Sequence, residues 1–220
     1  MVVPSTKKKL KYRPFLVKEQ KVLILALEEN NTSQILEAIK TIFKSCINTR
    51  FKMDDLSIFD VEYIFLQLRG RSIQETIEIE VPCEDDPKTK VPVTIPVDQI
   101  KVNFPEGHNN TIKVNESVTV VMKYPNLEYF TKINFTEEEV DPYELVSTCI
   151  DRVYQGEEDC GSFTPKEAQD WLEQLTTDQF ESIQKFFDTM PTLRHELTVT
   201  NPNTGVKTSS VTEGLVNFFG

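Results

Sequence analysis

The amino-acid sequence predicts an α+β fold: an N-terminal helical bundle, a small antiparallel β insert, and C-terminal helices that end in a β-hairpin and a short helix. Apolar residues recur at helical spacing in the first third, polar and apolar residues alternate in the middle third, and helix-start signals recur in the last third. We place the three parts at residues 1–74, 75–125 and 126–220. A chain of 220 residues can form one composite domain from them.

Three helices are expected in the first part. The first begins at Pro14, because the missing N–H of proline costs nothing at the first helical position. The second is capped by Asn31. The third follows Asp60 and ends at Gly70, since glycine readily adopts the left-handed conformation. The apolar positions of the first two helices are Phe15, Leu16, Leu23, Ala26 and Leu27, then Ile35, Ile39, Ile42, Phe43 and Cys46.

The insert is expected to be antiparallel because its sequence has a period of two. Strands are predicted at 76–81 and 91–97, and two short strands at 111–124 flank the turn-like pair Asn115-Glu116. Proline cannot donate a hydrogen bond to a ladder. Edge positions or strand ends are therefore expected for Pro82, Pro92 and Pro96.

Three helix starts are expected after residue 140, because a capping residue is followed by a glutamate or glutamine at the third helical position. The caps are Asp141, Thr164 and Thr176. The apolar stripes of these helices are Leu145, Cys149, Ile150 and Val153; Ala168, Trp171, Leu172 and Leu175; and Phe180, Ile183, Phe187 and Met190. Pro191 stops the last helix, and a hairpin and the short helix "EGLVNFFG" follow.

Charge is distributed unevenly in a chain whose net charge is −11. Residues 1–21 hold seven cations against Glu19 alone, whereas residues 137–188 hold fifteen acids against three cations. A phosphate backbone would be repelled by most of this surface, so nucleic acid is not expected as a partner.

Residues 1–9 show no core-facing period, so they are expected to lie outside the core. They are either a solvated tail or an arm that docks on an acidic neighbour. The candidate partner-binding lysines are Lys7, Lys8 and Lys9.

Composition points to a protein of a reducing compartment that does not insert into a membrane. The longest apolar run, residues 22–27, is far shorter than the roughly 20 residues needed to cross a bilayer, and no signal peptide is expected. The cysteines are scattered, as expected for unpaired thiols in the cytoplasm: Cys46, Cys83, Cys149 and Cys160.

Residues suited to catalysis are few. His108 lies beside Gly107 in an expected loop and His195 in an expected strand, and neither has a neighbouring group that would position it for catalysis, so surface or strand-face histidines are expected. The segment 69–72 lacks the glycines and the strand–loop–helix order of a phosphate loop. The acids at 84–86 lack the alternating ligands of a calcium loop. We therefore expect no enzyme activity, no cofactor and no metal.

Three long stretches resemble one protein family: "KKKLKYRPFLVKEQKVLILA" (7–26), "IFDVEYIFLQLRGRSIQE" (58–75) and "DTMPTLRHELTVTNPNTGVKTSSVTEGLVNFFG" (188–220). The chain is similar there to baseplate hub proteins of T4-like contractile-tailed phages, which build the hub and central spike complex. The type it resembles occurs in marine cyanobacterial phages. The resemblance implies a virion tail protein, made late and assembled in the host cytoplasm. It also implies that relatives have a further strand-like segment before the lysines. The N-terminus of this chain is therefore expected to be shortened relative to theirs.

Two hairpins have the outline of zinc-ribbon knuckles: "VPCEDDPKTKVPV" (81–93) and "LTVTNPNTGVKTSSV" (197–211). A tetrahedral site needs four ligands, and Cys83 has no second cysteine nearby. Relatives are expected from the resemblance to carry Cys-x-x-Cys in the first hairpin. Here we interpret both hairpins as metal-free, with Asn203-Thr204-Gly205 forming the second turn.

The leading hypothesis from the sequence is a non-enzymatic structural or assembly component of the hub that binds other hub proteins, in a hetero-oligomer. The alternative is a transient assembly chaperone that is absent from the finished particle, and a cell-wall-directed or metal-dependent hydrolase is a distant third. The apolar C-terminus offers another contact: on a short helix Leu215 and Phe219 face inward, which leaves Phe218 as a candidate partner anchor.

Overall fold

Helices and antiparallel sheets alternate along the chain, which confirms the predicted α+β class. The computed structural model describes residues 1–29, 31–53, 55–73, 76–135 and 141–214. Its helices are α1 (Val17–Glu28), α2 (Thr32–Cys46), α3 (Ile58–Ile73), α4 (Leu127–Phe135), α5 (Pro142–Cys149), α6 (Pro165–Leu172) and α7 (Thr177–Asp188). The predicted short helix at the C-terminus lies outside the described residues.

Within the described residues, the strands form three antiparallel sheets. They are β1 (Thr76–Pro82), β2 (Lys90–Pro96), β3 (Lys101–Asn103), β4 (Thr111–Lys113), β5 (Val118–Met122), β6 (Ile150–Gln155), β7 (Glu158–Asp159), β8 (Thr192–Thr200) and β9 (Lys207–Glu213). The first sheet is the β1-β2 hairpin, the second has the order β3-β8-β9, and the third has the order β4-β5-β6-β7. Strands of the middle part thus pair with C-terminal strands. The division at 74/75 and 125/126 stays a prediction.

The sequence predicts the start of the second helix correctly but not that of the first. The predicted cap and apolar stripe of α2 are both confirmed. The Asn31 side chain accepts a hydrogen bond from the Gln34 N–H, and every residue of the predicted stripe is fully buried. The predicted start of α1 is wrong, since the helix begins at Val17 rather than Pro14. The Glu19 carboxylate accepts a hydrogen bond of 2.9 Å from the Leu16 N–H, which fixes the start three residues later.

The third helix continues past its predicted end. Gly70 lies inside α3 and does not have a positive φ. A Cβ atom at this position would lie 2.4 Å from Cγ2 of Val97, closer than packed atoms approach. This glycine is therefore needed for close packing against Val97 and does not end the helix.

The Gly70→Ala substitution should lower the free energy of unfolding by about 1 to 2 kcal/mol, because overpacking costs more than alanine gains in a helix. Val97 is buried and its two methyl groups are the obstacle. In a Val97→Ala background the same change should become neutral or stabilising by up to about 1 kcal/mol. Urea unfolding of the four proteins measures both effects. Additive effects of the two substitutions would contradict the contact.

Two apolar cores organise the fold. The larger one joins α1, α2 and α3 with β1, β2 and α4, and the smaller one lies between the four-stranded sheet and helices α5, α6 and α7. Tyr124 packs against both cores. The N-terminal helical bundle predicted from the sequence is therefore completed by strands from the middle of the chain.

The C-terminal helices begin where their caps predict. Asp141, Thr164 and Thr176 each accept a hydrogen bond from a backbone N–H of the first turn. The first predicted stripe is too long, however, because α5 ends at Cys149 and Val153 lies on β6. Ile150 has extended dihedrals and β6 pairs with β5, so tertiary pairing ends this helix. In α7 the buried aromatic residue is Phe186, and the predicted Phe187 is only partly buried.

Candidate functional site

The lysine-rich N-terminus forms a small hairpin that is packed on the core. Val2 and Lys9 form an antiparallel bridge, and Val3 and Leu10 are buried in the larger core. The expectation that residues 1–9 lie outside the core is therefore wrong. Two isolated apolar residues in a short hairpin do not produce a detectable period, which is why the sequence pattern missed them.

A buried carboxylate fixes this hairpin to α3. Asp60 is fully buried in the first turn of α3. Its Oδ1 accepts a hydrogen bond of 2.9 Å from the Ser5 N–H, and its Oδ2 accepts one from the Ser5 hydroxyl. Oδ2 also accepts hydrogen bonds from the Ser57 hydroxyl at 2.6 Å and the Ser57 N–H at 3.3 Å. The hairpin is thus a fixed part of the surface.

The structure places the three candidate lysines in different surroundings. The Lys7 ammonium lies 4.8 Å from the centroid of the Phe104 ring, within the range of a cation–π contact. The Lys8 ammonium donates a hydrogen bond of 2.9 Å to the Arg50 carbonyl. Lys9 is exposed. The first two lysines are therefore partly ordered by the neighbouring segments.

A second segment lies beside these lysines and adds cations. The Lys11 N–H donates to the Thr49 hydroxyl at 2.8 Å, and the Lys11 carbonyl accepts from the Asn48 N–H at 2.7 Å. Residues 8–11 and 48–50 therefore run side by side. This brings together five exposed cations, which we call the basic surface: Lys8, Lys9, Lys11, Arg50 and Lys52.

Helix α1 exposes an unusual amount of apolar surface. Among the described residues, eleven large apolar side chains are exposed, and six of them lie between Leu16 and Leu27. We call these six the α1 face: Leu16, Val17, Val22, Ile24, Leu25 and Leu27. A groove of about 390 Å³ runs along it and reaches Arg69 on α3. Such a concentration of apolar side chains is typical of an interaction site.

The composition of α1 is a signal for the α1 face that helical periodicity alone does not reveal. Leu16 and Leu27 were expected to be apolar positions of a buried stripe, but they are 53% and 37% exposed. The helix carries apolar residues on nearly all sides, and such a helix is normally covered on all sides. Among the residues of α1, only Glu19, Leu23 and Ala26 are buried.

The two hairpins with a zinc-ribbon outline contact each other at their turns. The Asp85 carboxylate accepts hydrogen bonds from the Asn201 amide at 3.1 Å and from the Thr204 hydroxyl at 2.5 Å. These hydrogen bonds hold the pKa of Asp85 below its ordinary value. Across the same contact the Asn203 amide donates to the Thr89 hydroxyl at 3.1 Å. Hydrogen bonds between side chains therefore join the two turns.

The residues around these turns bear on whether the two hairpins could bind a metal. Cys83 is buried, and burial raises the pKa of its thiol. The predicted second turn is confirmed, with Gly205 in the left-handed conformation at φ 74°. No group of three or more His, Cys, Asp or Glu side chains suited to a metal occurs within the described ranges. The absence of a metal in the protein stays a prediction.

The two histidines lie in different parts of the fold, one half-buried with two hydrogen-bond partners and one on a strand. His108 is half-buried and is not the surface residue that the sequence suggested. Its Nδ1 lies 3.0 Å from the Thr189 hydroxyl and its Nε2 lies 2.9 Å from the Tyr124 hydroxyl. Burial lowers the pKa of His108. His195 lies on β8 opposite Thr212, as a strand-face residue.

A cleft of about 570 Å³ lies between the two cores, beside Tyr124, Tyr129, Thr148 and Cys149. Burial raises the pKa of the Cys149 thiol to about 12, so this thiol stays protonated at neutral pH. The Thr148 hydroxyl donates to the Tyr129 hydroxyl at 3.0 Å. The described side chains beside Cys149 therefore do not activate its thiol as a nucleophile.

Two expectations concern other parts of the chain. Phe218 lies outside the described residues, so its role as a partner anchor stays a prediction. Within the described ranges, each helix is too short or too polar to span a bilayer.

Comparison with known proteins gives one match. A family model described as T4 bacteriophage base plate protein matches residues 1–220. Neither the curated proteins nor the solved structures contain a significant match.

Proposed function

Because the chain belongs to the T4 bacteriophage base plate protein family, we propose that it is a non-enzymatic component of the base plate hub that binds other hub proteins during tail assembly. The family implies a base plate component and thus a location in the virion tail. The hub role follows from the resemblance of residues 7–26, 58–75 and 188–220 to hub proteins. We further propose hetero-oligomeric assembly in the host cytoplasm, with Phe218 as an additional partner contact.

The basic surface is the observation that carries this proposal. Five cations on two adjacent segments form a positive region in a chain whose net charge is −11. Exposed cations gain little from isolated ion pairs, but a cluster of one sign attracts a surface of opposite sign and orients it. The partner that fits is an acidic protein surface.

Order in the N-terminal hairpin supports the same proposal. A loose tail would lose conformational entropy when it binds, whereas these lysines lie on a hairpin that Asp60 fixes to the core. The Lys8 ammonium is directed by its bond to the Arg50 carbonyl. The basic surface is therefore preorganised for binding.

Capture of co-expressed hub proteins by the tagged chain tests the basic surface. The Lys8→Glu/Lys9→Glu variant should capture at least about fivefold less hub protein than wild type at 0.1 M salt, and the difference should shrink at 1 M salt, where the Debye length falls from about 10 Å to about 3 Å. The matched control is Lys113→Glu/Lys207→Glu, which changes the net charge equally at exposed positions elsewhere. Equal capture by both variants would contradict the proposal.

Mass spectrometry of purified particles tests the location. A hub component should be present in finished virions as well as in the lysate of infected cells. Presence in the lysate together with absence from the particles would contradict a hub component and would identify a transient assembly factor.

A further inference from the structure

The α1 face carries opposite charges at its two ends. Lys18 and Lys21 lie near the start of α1, and Glu28 and Glu29 lie at its end, all of them exposed. Glu19 does not contribute to this pattern, because it is buried and forms ion pairs with Arg13 at 2.8 Å and Lys18 at 3.6 Å, so the positive end depends mainly on Lys21. The helix therefore presents an apolar centre with a positive and a negative end.

This arrangement is complementary to a second copy of itself in one orientation only. A parallel pair of α1 helices would place lysine against lysine and glutamate against glutamate. In an antiparallel pair, a two-fold axis between Ile24 and Leu25 places Lys21 of each copy opposite Glu28 of the other. Lys21 and Glu28 are seven residues apart, as are Val17 and Ile24, so the ion pairs and the apolar contacts run along adjacent stripes.

We propose that the chain forms a two-fold symmetric dimer in which α1 packs antiparallel against α1 of a second copy. A two-fold interface uses the same patch on both subunits, which this self-complementary helix satisfies. The groove between α1 and Arg69 receives apolar side chains of the other copy. Contact along one helix of 12 residues, about 18 Å long, is small for a stable interface, so the dimer dissociates at micromolar concentrations.

The dimer is independent of the proposed hub role, because purified full-length chain is sufficient to test it. Sedimentation equilibrium from about 1 to about 200 µM should show a monomer–dimer equilibrium with a micromolar Kd. Ile24→Asp should abolish the dimer by placing a charge in the apolar centre. Ile24 is 47% exposed, so this variant should melt close to wild type.

A charge exchange tests the orientation. Lys21→Glu and Glu28→Lys should each weaken dimerisation by about fivefold, since each brings like charges together across the axis. The combined Lys21→Glu/Glu28→Lys variant should recover to within about twofold of wild type, because the exchanged charges pair again only in the antiparallel arrangement. Lys113→Glu, an exposed lysine on β4, is the matched control and should leave the Kd unchanged.

Three outcomes would overturn the inference. The first is a monomer at the highest concentration. The second is a dimer that Ile24→Asp leaves intact. The third is a combined variant that stays as weak as the single variants. If the chain is monomeric and Ile24→Asp instead loses its captured hub proteins, the α1 face belongs to another base plate protein and the dimer is excluded.

Discussion

Replacing Asp60 with alanine should lower the free energy of unfolding by about 2 to 4 kcal/mol, because a buried donor left without an acceptor costs about 1 to 3 kcal/mol and Ser57 supplies two such donors. The Asp60 side chain is fully buried and accepts four hydrogen bonds from Ser5 and Ser57. Their loss leaves the N–H and hydroxyl of the buried Ser57 without an acceptor, whereas Ser5 is exposed and can bond to water.

Urea unfolding at neutral pH measures this loss. Asp60→Asn keeps one acceptor oxygen and should cost about 1 to 3 kcal/mol, since the amide N–H₂ meets donors. The control Asp170→Ala removes an exposed carboxylate from α6 and should stay within about 0.5 kcal/mol of wild type. A loss below about 1 kcal/mol for Asp60→Ala would contradict the role of this carboxylate.

The same substitution should release the N-terminal hairpin. Ser5 is held to α3 through Asp60, and the lysines that follow it are cleavage sites for trypsin. Limited digestion should therefore cut after Lys7, Lys8 or Lys9 faster in Asp60→Ala than in wild type, and the Asp170→Ala control should be cut at the wild-type rate. Because the basic surface includes this hairpin, the variant should also capture less hub protein.

The starts of four helices were predictable because their capping is local. The side chains of Asn31, Asp141, Thr164 and Thr176 accept hydrogen bonds from backbone N–H groups two or three residues later. Every partner in these interactions lies within one turn of sequence, so the pattern alone indicates the structure. The C-terminal hairpin was also recognisable, since its turn residues and its alternation are adjacent in sequence.

Features that depend on distant partners were not predictable. Gly70 looked like a helix end because sequence does not show that Val97 packs against it. Val153 continued the helical spacing of α5, but pairing with Val120 places it in a sheet. The pairing of β3 with β8 joins residues about ninety positions apart, which no local pattern indicates.

In the candidate site, too, the features set by local sequence were predictable and those set by distant contacts were not. The exposed lysines near the N-terminus were evident from their number, but the contribution of Arg50 and Lys52 depends on the contact between residues 8–11 and 48–50. The α1 face was not predicted because a helix on the surface of a globular protein usually has a single buried apolar stripe. Its apolar residues surround the helix, and which of them are exposed depends on the packing of α2 and α3.

Acid should weaken the fold through one carboxylate at the start of α1. The Glu19 side chain is 5% exposed and forms an ion pair of 2.8 Å with Arg13. The hydrogen bond from Arg13, assisted by one from the Leu16 N–H, lowers the pKa of Glu19 from its ordinary value of 4.5 to about 2. A carboxylate with a lowered pKa in the folded state contributes stability that is complete above pH 4.5. This contribution is lost as the pH falls towards 2.

The Glu19→Gln substitution should therefore lower the free energy of unfolding by about 2 to 3 kcal/mol at pH 7. This is less than for a fully buried pair, because the Arg13 side chain is 30% exposed and water replaces part of the interaction. At pH 2 about half of the wild-type Glu19 carboxylate is protonated in the folded state, and nearly all of it is protonated in the unfolded state. The difference between the two proteins should therefore shrink to well under half of its value at pH 7. Urea unfolding at pH 7, 5, 4, 3 and 2 gives the profile.

The control Glu37→Gln breaks an exposed pair with Lys40 and should leave the profile close to wild type. A deficit of equal size at pH 2 and pH 7 would show that Glu19 acts through packing or hydrogen bonds that do not depend on its charge.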